Sequence, residues 1–182
     1  YQINKNKPSI LWLARLNVQK GVDDLIQIID QVNTDGYSGK INWYIAGDGA
    51  DRNRIEGLSK KWSNVTYYGH VENNYIASLL NKIDLFISTS QWEASPYNII
   101  EAQAAGKPVF AYKIAGPMDI IENNKTGILV NDISEFIKTI KDFINGGQKY
   151  DERLIRETIR KKTDPNKINR ELIAMFFSCI KK

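Results

Sequence analysis

The amino-acid sequence predicts an α/β domain whose parallel, doubly wound sheet of about six strands is covered by helices on both faces. Six short apolar segments typical of buried strands recur along the 182 residues, and segments with apolar side chains at helical spacing separate them. Strands that alternate with helices favour parallel pairing, because two parallel strands need a long crossover connection. A hydrophobic content of 42% with 25% charged residues fits one globular core of ordinary size.

The predicted elements follow one another in βα order. The strands are apolar runs at 9–14, 41–46, 65–68, 85–88, 109–111 and 128–130. The helices repeat apolar residues every three or four positions, at 22–32, 51–62, 75–80, 99–105, 119–122 and 133–144. In a sheet of this kind a ligand binds at the carboxyl ends of the strands. The loops that follow the strands are therefore where a functional site is expected.

Residues 9–164 are predicted to form the domain, and shorter segments flank it. Residues 1–8 are interpreted as an interdomain linker, and residues 165–182 as a C-terminal helix. That helix carries an apolar stripe, which we expect to pack either on this domain or on a second, N-terminal domain. The stripe comprises Ile168, Leu172, Ile173, Phe176, Phe177 and Ile180.

Composition excludes several classes of protein. Cys179 is the only cysteine, which excludes an internal disulfide bond and a cysteine-based metal site. Apolar runs such as residues 10–14 are far shorter than the roughly 20 residues of a membrane span, and no signal peptide precedes them. We therefore expect a soluble, cytoplasmic domain.

The net charge of +4 is concentrated in residues 149–182, which hold ten Lys or Arg against five Asp or Glu. A solvated basic helix is the simplest interpretation, and a peripheral contact with the anionic inner face of the plasma membrane is a second one. Nucleic-acid binding is not favoured, because aromatic side chains do not interleave with the basic ones. The basic helix face consists of Arg153, Arg156, Arg160, Lys161 and Lys162.

Two glutamates flank the junction between the fourth strand and the next helix. Glu93 lies in the loop, whereas Glu101 lies one turn into the helix, and Pro96 suits the first helical turn. The backbone N–H groups of residues 95–98 are predicted to be the unpaired donors of a helix N-terminus, where anions bind. Carboxylates accept hydrogen bonds from vicinal hydroxyls and repel phosphate. The layout predicts a ligand with a central phosphate between two hydroxyl-rich groups, as in a sugar nucleotide; two ordinary surface glutamates are the alternative.

The loop after the first strand carries two cations. Arg15 follows the strand directly and Lys20 precedes the next helix, so both can clamp a diphosphate at the carboxyl edge. Solvated surface charges are the alternative. The turn 47–49 reads Gly-Asp-Gly and is a weak dinucleotide signal, because no third glycine follows at the required place.

Taken together, these loops resemble the C-terminal domain of the retaining glycosyltransferases of family four, also called group 1, which have the two-domain, Rossmann-like GT-B fold. The resemblance runs from about residue 9 to residue 143. The motifs that carry it are Ala14-Arg15-Leu16 with Lys20-Gly21, Ala46-Gly47-Asp48-Gly49, Tyr68-Gly69-His70-Val71, Glu93 to Glu101-Ala102, Ala105-Gly106-Lys107-Pro108-Val109, Ala115-Gly116-Pro117-Met118-Asp119 and Thr126-Gly127-Ile128-Leu129-Val130.

The resemblance implies a donor-binding domain for a UDP- or GDP-linked sugar, without cofactor or catalytic metal. In the family the counterparts of Arg15 and Lys20 hold the pyrophosphate, that of Glu101 the ribose hydroxyls, and that of Glu93 the hydroxyls of the donor sugar. The implied reaction is glycosyl transfer with retention to a glycan or lipid-linked acceptor, with Arg15, Lys20 and Glu93 as the catalytic residues of this domain.

The remaining residues of the expected donor site line the same edge. His70, the only histidine, lies in a loop that the family uses near the nucleotide base, which disfavours a role as general base. Trp92 is interpreted as core or pocket wall. The residues expected to complete the site are Gly47, His70, Ser95, Pro96, Tyr97 and Asn98.

Some features depart from the family pattern or leave alternatives open. The family often has glycine at position 94 and glycine or an aromatic residue at 95, where this chain has Ala94 and Ser95, so the sugar is left open. The acceptor-binding N-terminal domain of the family is missing from this chain, and we expect residues 1–182 alone to be inactive in transfer. A nucleotide-sugar binding module without catalysis and a GT-B epimerase are the alternatives.

Overall fold

The computed structural model describes residues 1–166 and has six strands in one parallel sheet, as predicted. The strands are β1 (Ser9–Leu13), β2 (Asn42–Ala46), β3 (Val65–Tyr67), β4 (Leu85–Ser88), β5 (Val109–Tyr112) and β6 (Gly127–Val130). Their order is β3-β2-β1-β4-β5-β6, and every neighbouring pair is parallel. The winding direction reverses between β1 and β4, which is the doubly wound arrangement.

Helices cover both faces of this sheet. They are α1 (Val22–Val32), α2 (Arg52–Lys61), α3 (Asn73–Lys82), α4 (Tyr97–Ala104), α5 (Pro117–Ile120), α6 (Ile133–Ile144) and α7 (Glu152–Lys162). The bounds of α6 agree with the prediction, whereas α3 extends two residues further at each end. The start of α5 lies two residues earlier than predicted, because the fixed φ of Pro117 suits a first helical position.

Side chains of the central strands alternate between two buried layers. Trp12 and Trp43 lie in the layer that contains α1, α2 and α6, and Leu11 and Phe86 lie in the layer that contains α3 and α4. All four are at most 2% exposed, and burial of each contributes roughly 1.5–3 kcal/mol. Since both faces are covered, the strands appear in the sequence as continuous apolar runs.

Helix α7 packs against α4 and buries Ile155 and Ile159. Its exposed side carries Arg153, Arg160 and Lys161, as the basic-face interpretation predicted. The predicted apolar stripe and Cys179 lie outside the described residues. Among the helices of residues 1–166, none combines the length and the apolar character that a membrane crossing requires.

Candidate functional site

The loops after β1, β2 and β4 pack so closely at the carboxyl edge that glycine is required at their contacts. A Cβ atom added to Gly47 would lie 1.8 Å from the carbonyl oxygen of Ala14, and one added to Gly21 would lie 1.9 Å from that of Thr89. Both glycines also have positive φ, 134° and 67°, which side chains disfavour. The three loops therefore form one interlocked floor.

Hydrogen bonds tie the β1 loop to the β4 loop at several points. The hydroxyl of Thr89 donates to the carbonyl oxygen of Lys20 at 2.8 Å, and the backbone N–H of Gln91 donates to that of Gln19 at 2.9 Å. The side chain of Gln19 in turn donates to the carbonyl oxygen of Trp92 at 3.3 Å. These bonds hold the segment before α1 beside the segment that leads to Glu93.

Lys20 and Glu93 meet across this junction. Lys20 Nζ forms an ion pair with Glu93 Oε2, and the two side chains are only 13% and 11% exposed. The other carboxylate oxygen of Glu93, Oε1, accepts the backbone N–H of Ser95 at 3.1 Å. The sequence assigned Lys20 and Glu93 to different parts of the ligand, and the structure brings them into direct contact. Arg15, on the same loop as Lys20, is exposed, and its guanidinium makes no hydrogen bond or ion pair within residues 1–166.

The start of α4 differs from the prediction. The helix begins at Tyr97, and Pro96 is the cap that precedes it, with φ −80° and ψ 70°. The N–H of Ser95 is taken by Glu93, proline has no N–H, and the N–H of Tyr97 donates to the carbonyl oxygen of Ser95 at 2.9 Å. In the described chain, only the N–H of Asn98 among these residues has no acceptor. The prediction of a row of unpaired amides is therefore wrong, because the loop folds back on itself before the helix begins.

Asn98 fastens the start of α4 to the sheet. Its side-chain Nδ2 donates to the carbonyl oxygen of Leu13, the last residue of β1, at 3.0 Å. This bond ties the first turn of α4 to the end of β1, where the loop with Arg15 and Lys20 begins.

Glu101 lies one turn into α4, next to a groove of about 320 Å³ between α3 and α4. The groove is lined mainly by small and apolar side chains of the two helices, including Ile76, Leu80 and Ala104. Partial burial raises the pKa of the Glu101 carboxyl. Within residues 1–166 this carboxylate has no hydrogen-bond donor or cationic partner. The residue as a whole is exposed, and a carboxylate with a raised pKa and no partner beside a groove is a candidate for ligand binding.

The loops after β2 and β3 lie on the other side of β1. The N–H of Gly47 donates to the carbonyl oxygen of Gly69 at 2.8 Å, and the hydroxyl of Tyr67 donates to the carbonyl oxygen of Gly47 at 2.9 Å. His70 follows Gly69 and is exposed. The predicted site residues before α4 thus occupy the loops of four strands that are neighbours in the sheet, in the order β3, β2, β1 and β4.

Sequence reasoning missed the contribution of the β5 loop. Gly116 has φ 82°, and a Cβ added there would lie 2.4 Å from the carbonyl oxygen of Glu93. The loop before α5 therefore packs directly against the backbone of Glu93. A glycine followed by proline, as at Gly116-Pro117, was the available signal, although it indicates a turn and does not identify the contacting loop.

Large apolar side chains stand exposed on the loops and at the helix starts around this site. Val18 is 69% exposed, Trp92 57%, Tyr97 73% and Met118 48%. Trp92 does not lie in the core, since its side chain is 57% exposed; the alternative, that it forms a wall of the ligand pocket, stays a prediction. All four belong to segments that follow strands of the sheet, at the carboxyl edge where the candidate site lies.

Comparison with known proteins gives a consistent result. The family model described as Glycosyl transferases group 1 matches residues 1–161. A GDP-mannose-dependent alpha-mannosyltransferase from Mycobacterium tuberculosis is 28% identical over 138 residues, which make up 76% of this chain and 34% of that protein. The chain spans about a third of the length of the curated relatives it matches.

Two solved structures illustrate the similarity of fold. The lipopolysaccharide outer core galactosyltransferase WaaB in its apo form superposes with a TM-score of 0.81 at 25% identity, over 97% of this chain and 51% of that chain. A mutant of Staphylococcus aureus TarM, solved with fondaparinux, alpha-GlcNAc-glycerol and UDP, superposes with a TM-score of 0.69 at 25% identity, over 89% of this chain and 33% of that chain.

Proposed function

This chain belongs to the group 1 glycosyl transferases, and we propose that its carboxyl edge is the donor site of a retaining transferase that moves a sugar from a nucleotide-diphosphate sugar to a glycan or lipid-linked acceptor. The observation that carries the proposal is the row of adjacent loops that presents Arg15, Lys20 and Glu93 beside the start of α4. Cations for a diphosphate and a carboxylate for sugar hydroxyls are thereby combined within one interlocked floor.

The proposed roles follow from the chemistry of each group. Arg15 is exposed and can grip a diphosphate with two parallel hydrogen bonds, and Lys20 supplies a second, more buried charge. The open N–H of Asn98 points to a further donor at the positive end of α4. Together these groups would stabilise the charge that develops on the departing nucleotide diphosphate, without a metal ion in that role. The UDP bound in the TarM structure and the GDP-mannose dependence of the mycobacterial relative support a diphosphate ligand.

The two glutamates are assigned to hydroxyl groups on either side of the diphosphate. Glu101, with its raised pKa and no partner in the described chain, is assigned to the ribose. Glu93, held by Lys20 and the N–H of Ser95, is assigned to the donor sugar and not to attack on the anomeric carbon. Retention of configuration is proposed from the family resemblance.

A second domain is proposed to close over this edge and supply the acceptor site. The exposed side chains of Val18, Trp92, Tyr97 and Met118 lie on the loops and helix starts that surround the donor residues, where such a domain would cover them. The basic face of α7 supports a further proposal, a peripheral contact with an anionic membrane that carries a lipid-linked acceptor.

Isothermal titration calorimetry of the 182-residue chain tests the donor assignment. The ligands are UDP, GDP and ADP, each with one of its sugar conjugates, and every titration is repeated with a chelator. We expect binding of one nucleotide series, unchanged by the chelator. Binding of none of the three series would refute the proposal, and loss of binding with the chelator would refute its metal-independent form.

A further inference from the structure

We infer that Glu93 acts as an internal counter-ion that withholds Lys20 from anions until one ligand offers both a phosphate for Lys20 and hydroxyl groups for Glu93. The inference rests on the proposed function and assigns a further, specificity-determining role to Glu93. It makes recognition of the sugar and of the diphosphate interdependent.

The contacts of Glu93 carry this inference. Both of its carboxylate oxygens are engaged, Oε2 by Lys20 Nζ and Oε1 by the N–H of Ser95. A cation and a backbone N–H are also the donors that a phosphate group would use at this position. The Glu93 carboxylate therefore occupies an anion site that the chain has built from its own residues.

The loops that carry the pair are fixed, so the pair cannot open by a simple separation of loops. The hydroxyl of Thr89 and the N–H of Gln91 bond the two segments at 2.8 and 2.9 Å, and Gly21 packs directly against Thr89. From the other side Gly116 supports the carbonyl group of Glu93. Release of Lys20 therefore requires rotation of its side chain or that of Glu93, and both depend on what the ligand offers.

The low exposure of the pair makes the type of ligand decisive. An anion that binds Lys20 but brings no hydrogen-bond donor for Glu93 breaks the ion pair. The Glu93 carboxylate, which is 11% exposed, then has the N–H of Ser95 as its single donor. A carboxylate that loses its partner out of contact with water is strongly destabilised. A nucleotide sugar replaces the lost partner with sugar hydroxyls, whereas a bare nucleotide diphosphate does not. The same asymmetry favours release of the diphosphate once the sugar has been transferred.

Arg15 provides the contrast within the same loop. Its guanidinium is exposed and has no partner in the described part of the chain, so any phosphate can reach it. We assign capture of the diphosphate to Arg15 and discrimination between donor and product to the Lys20–Glu93 pair.

The test is a double-mutant cycle on the 182-residue chain with Glu93→Gln and Lys20→Met. Calorimetry measures UDP against UDP-glucose and GDP against GDP-mannose. Glutamine keeps an oxygen that can accept from Ser95 but removes the charge that holds Lys20. We expect Glu93→Gln to raise the affinity for the bare diphosphate about tenfold and to leave the affinity for the nucleotide sugar no higher than before. The tenfold change corresponds to the lower end of the coupling energies measured for close charge pairs.

The Lys20→Met background separates this device from simple repulsion between Glu93 and phosphate. There Glu93→Gln should change the affinity for the diphosphate less than about twofold, because no lysine remains to be released. Equal tightening in both backgrounds would show repulsion alone and overturn the inference. Glu152→Gln, which breaks the Lys107–Glu152 pair near the amino edge of the sheet, is the matched control and should leave affinity unchanged.

The outcomes also separate this inference from the donor assignment. If the wild-type chain binds a nucleotide sugar but Glu93→Gln does not tighten the bare diphosphate, the inference fails and the donor site stands. If the wild-type chain binds no nucleotide, both fail. Should Glu93→Gln not fold, the Lys20→Met variant alone tests the inference. It should weaken binding of the nucleotide sugar at least about tenfold and binding of the bare diphosphate less than about threefold. Equal losses of affinity for the two ligands would overturn the inference.

Discussion

Substitution of Glu101 by glutamine tests whether this carboxylate belongs to the donor site. The carboxylate lies beside the groove between α3 and α4 and has no donor or cation near it within residues 1–166. Partial burial raises its pKa although the residue as a whole is exposed, so ionisation costs the fold little. Because it has no partner in the described residues, we expect this carboxylate to contribute little to the fold, and its proposed role is in binding.

The expected loss of binding follows from the hydrogen bonds that the carboxylate would accept from the ribose hydroxyls. Hydrogen bonds to a charged group are worth roughly 1.5–3 kcal/mol, which corresponds to about 13- to 160-fold in dissociation constant. Glu101→Ala removes both oxygens and should reach this range. Glu101→Gln retains one acceptor, removes the charge and should give the lower part of the range.

The effect on stability should have the opposite sign. A carboxyl whose pKa is raised in the folded state contributes stability that is fully present below its unfolded pKa and is lost as the pH rises through the folded pKa. Above the folded pKa that contribution is absent. Glu101→Gln is therefore expected to leave the free energy of unfolding unchanged or slightly higher at pH 7.

Two measurements on Glu101→Gln test the assignment of Glu101 to the ribose. Calorimetry with the nucleotide that the wild type binds gives the affinity, and urea unfolding at pH 7 gives the stability. Weaker binding together with unchanged or raised stability supports the assignment. Unchanged affinity in a folded variant would remove Glu101 from the site, and equal losses of affinity and stability would show that its role is structural.

Three further predictions concern other parts of the chain. Arg15→Ala should weaken the nucleotide diphosphate at least about tenfold and the bare nucleoside little, and Arg15→Lys should restore only part of the loss, since a lysine cannot bind in the bidentate manner; equal losses for nucleoside and diphosphate would indicate structural damage. The hydrogen bond from Lys107 lowers the pKa of the Glu152 carboxyl in the folded protein. The stability that this carboxylate contributes is therefore present above its unfolded pKa and is lost as the pH falls through its folded pKa. Glu152→Gln should therefore lower the free energy of unfolding, measured by urea unfolding, by about 0.5 kcal/mol at pH 7 and by less at pH 3. An equal decrease at both pH values would contradict a stabilising ion pair between Lys107 and Glu152. The 182-residue chain should bind a nucleotide sugar but transfer none of it in a product assay, because placing the acceptor is a large share of catalysis, and robust transfer by this chain alone would contradict a second domain.

The elements predicted most accurately from the sequence are those whose signal is local. The bounds of β4 and α6 agree with the prediction because a short apolar run and a helical repeat are complete within their own residues. The contact between Lys20 and Glu93 has no such signal, since 73 positions separate the two residues. It exists because β1 and β4 are neighbours in the sheet, and that pairing depends on the whole topology.

The errors near α4 have a related cause. Helical spacing predicted free N–H groups before the helix, but it could not show that Glu93 folds back onto Ser95. The same backbone path leaves the ring of Trp92 outside the core, 57% exposed, although its apolar character suggested burial. Loop conformation depends on the contacts of neighbouring loops, here those of Gly21 and Gly116, and single-residue preferences do not contain that information.

The position of β1 explains why residues from distant parts of the chain can serve one ligand. β1 lies between β2 and β4, so its loop contacts Gly47 on one side and Thr89 on the other. Arg15 and Lys20 consequently stand at the centre of the edge, where the winding of the sheet reverses. In the proposed complex a diphosphate held there would have the loop of His70 on one side and that of Glu93 on the other. We propose that recognition of the nucleotide and of the sugar can vary without moving the phosphate, and that the Lys20–Glu93 pair connects the affinity for the sugar to that for the diphosphate.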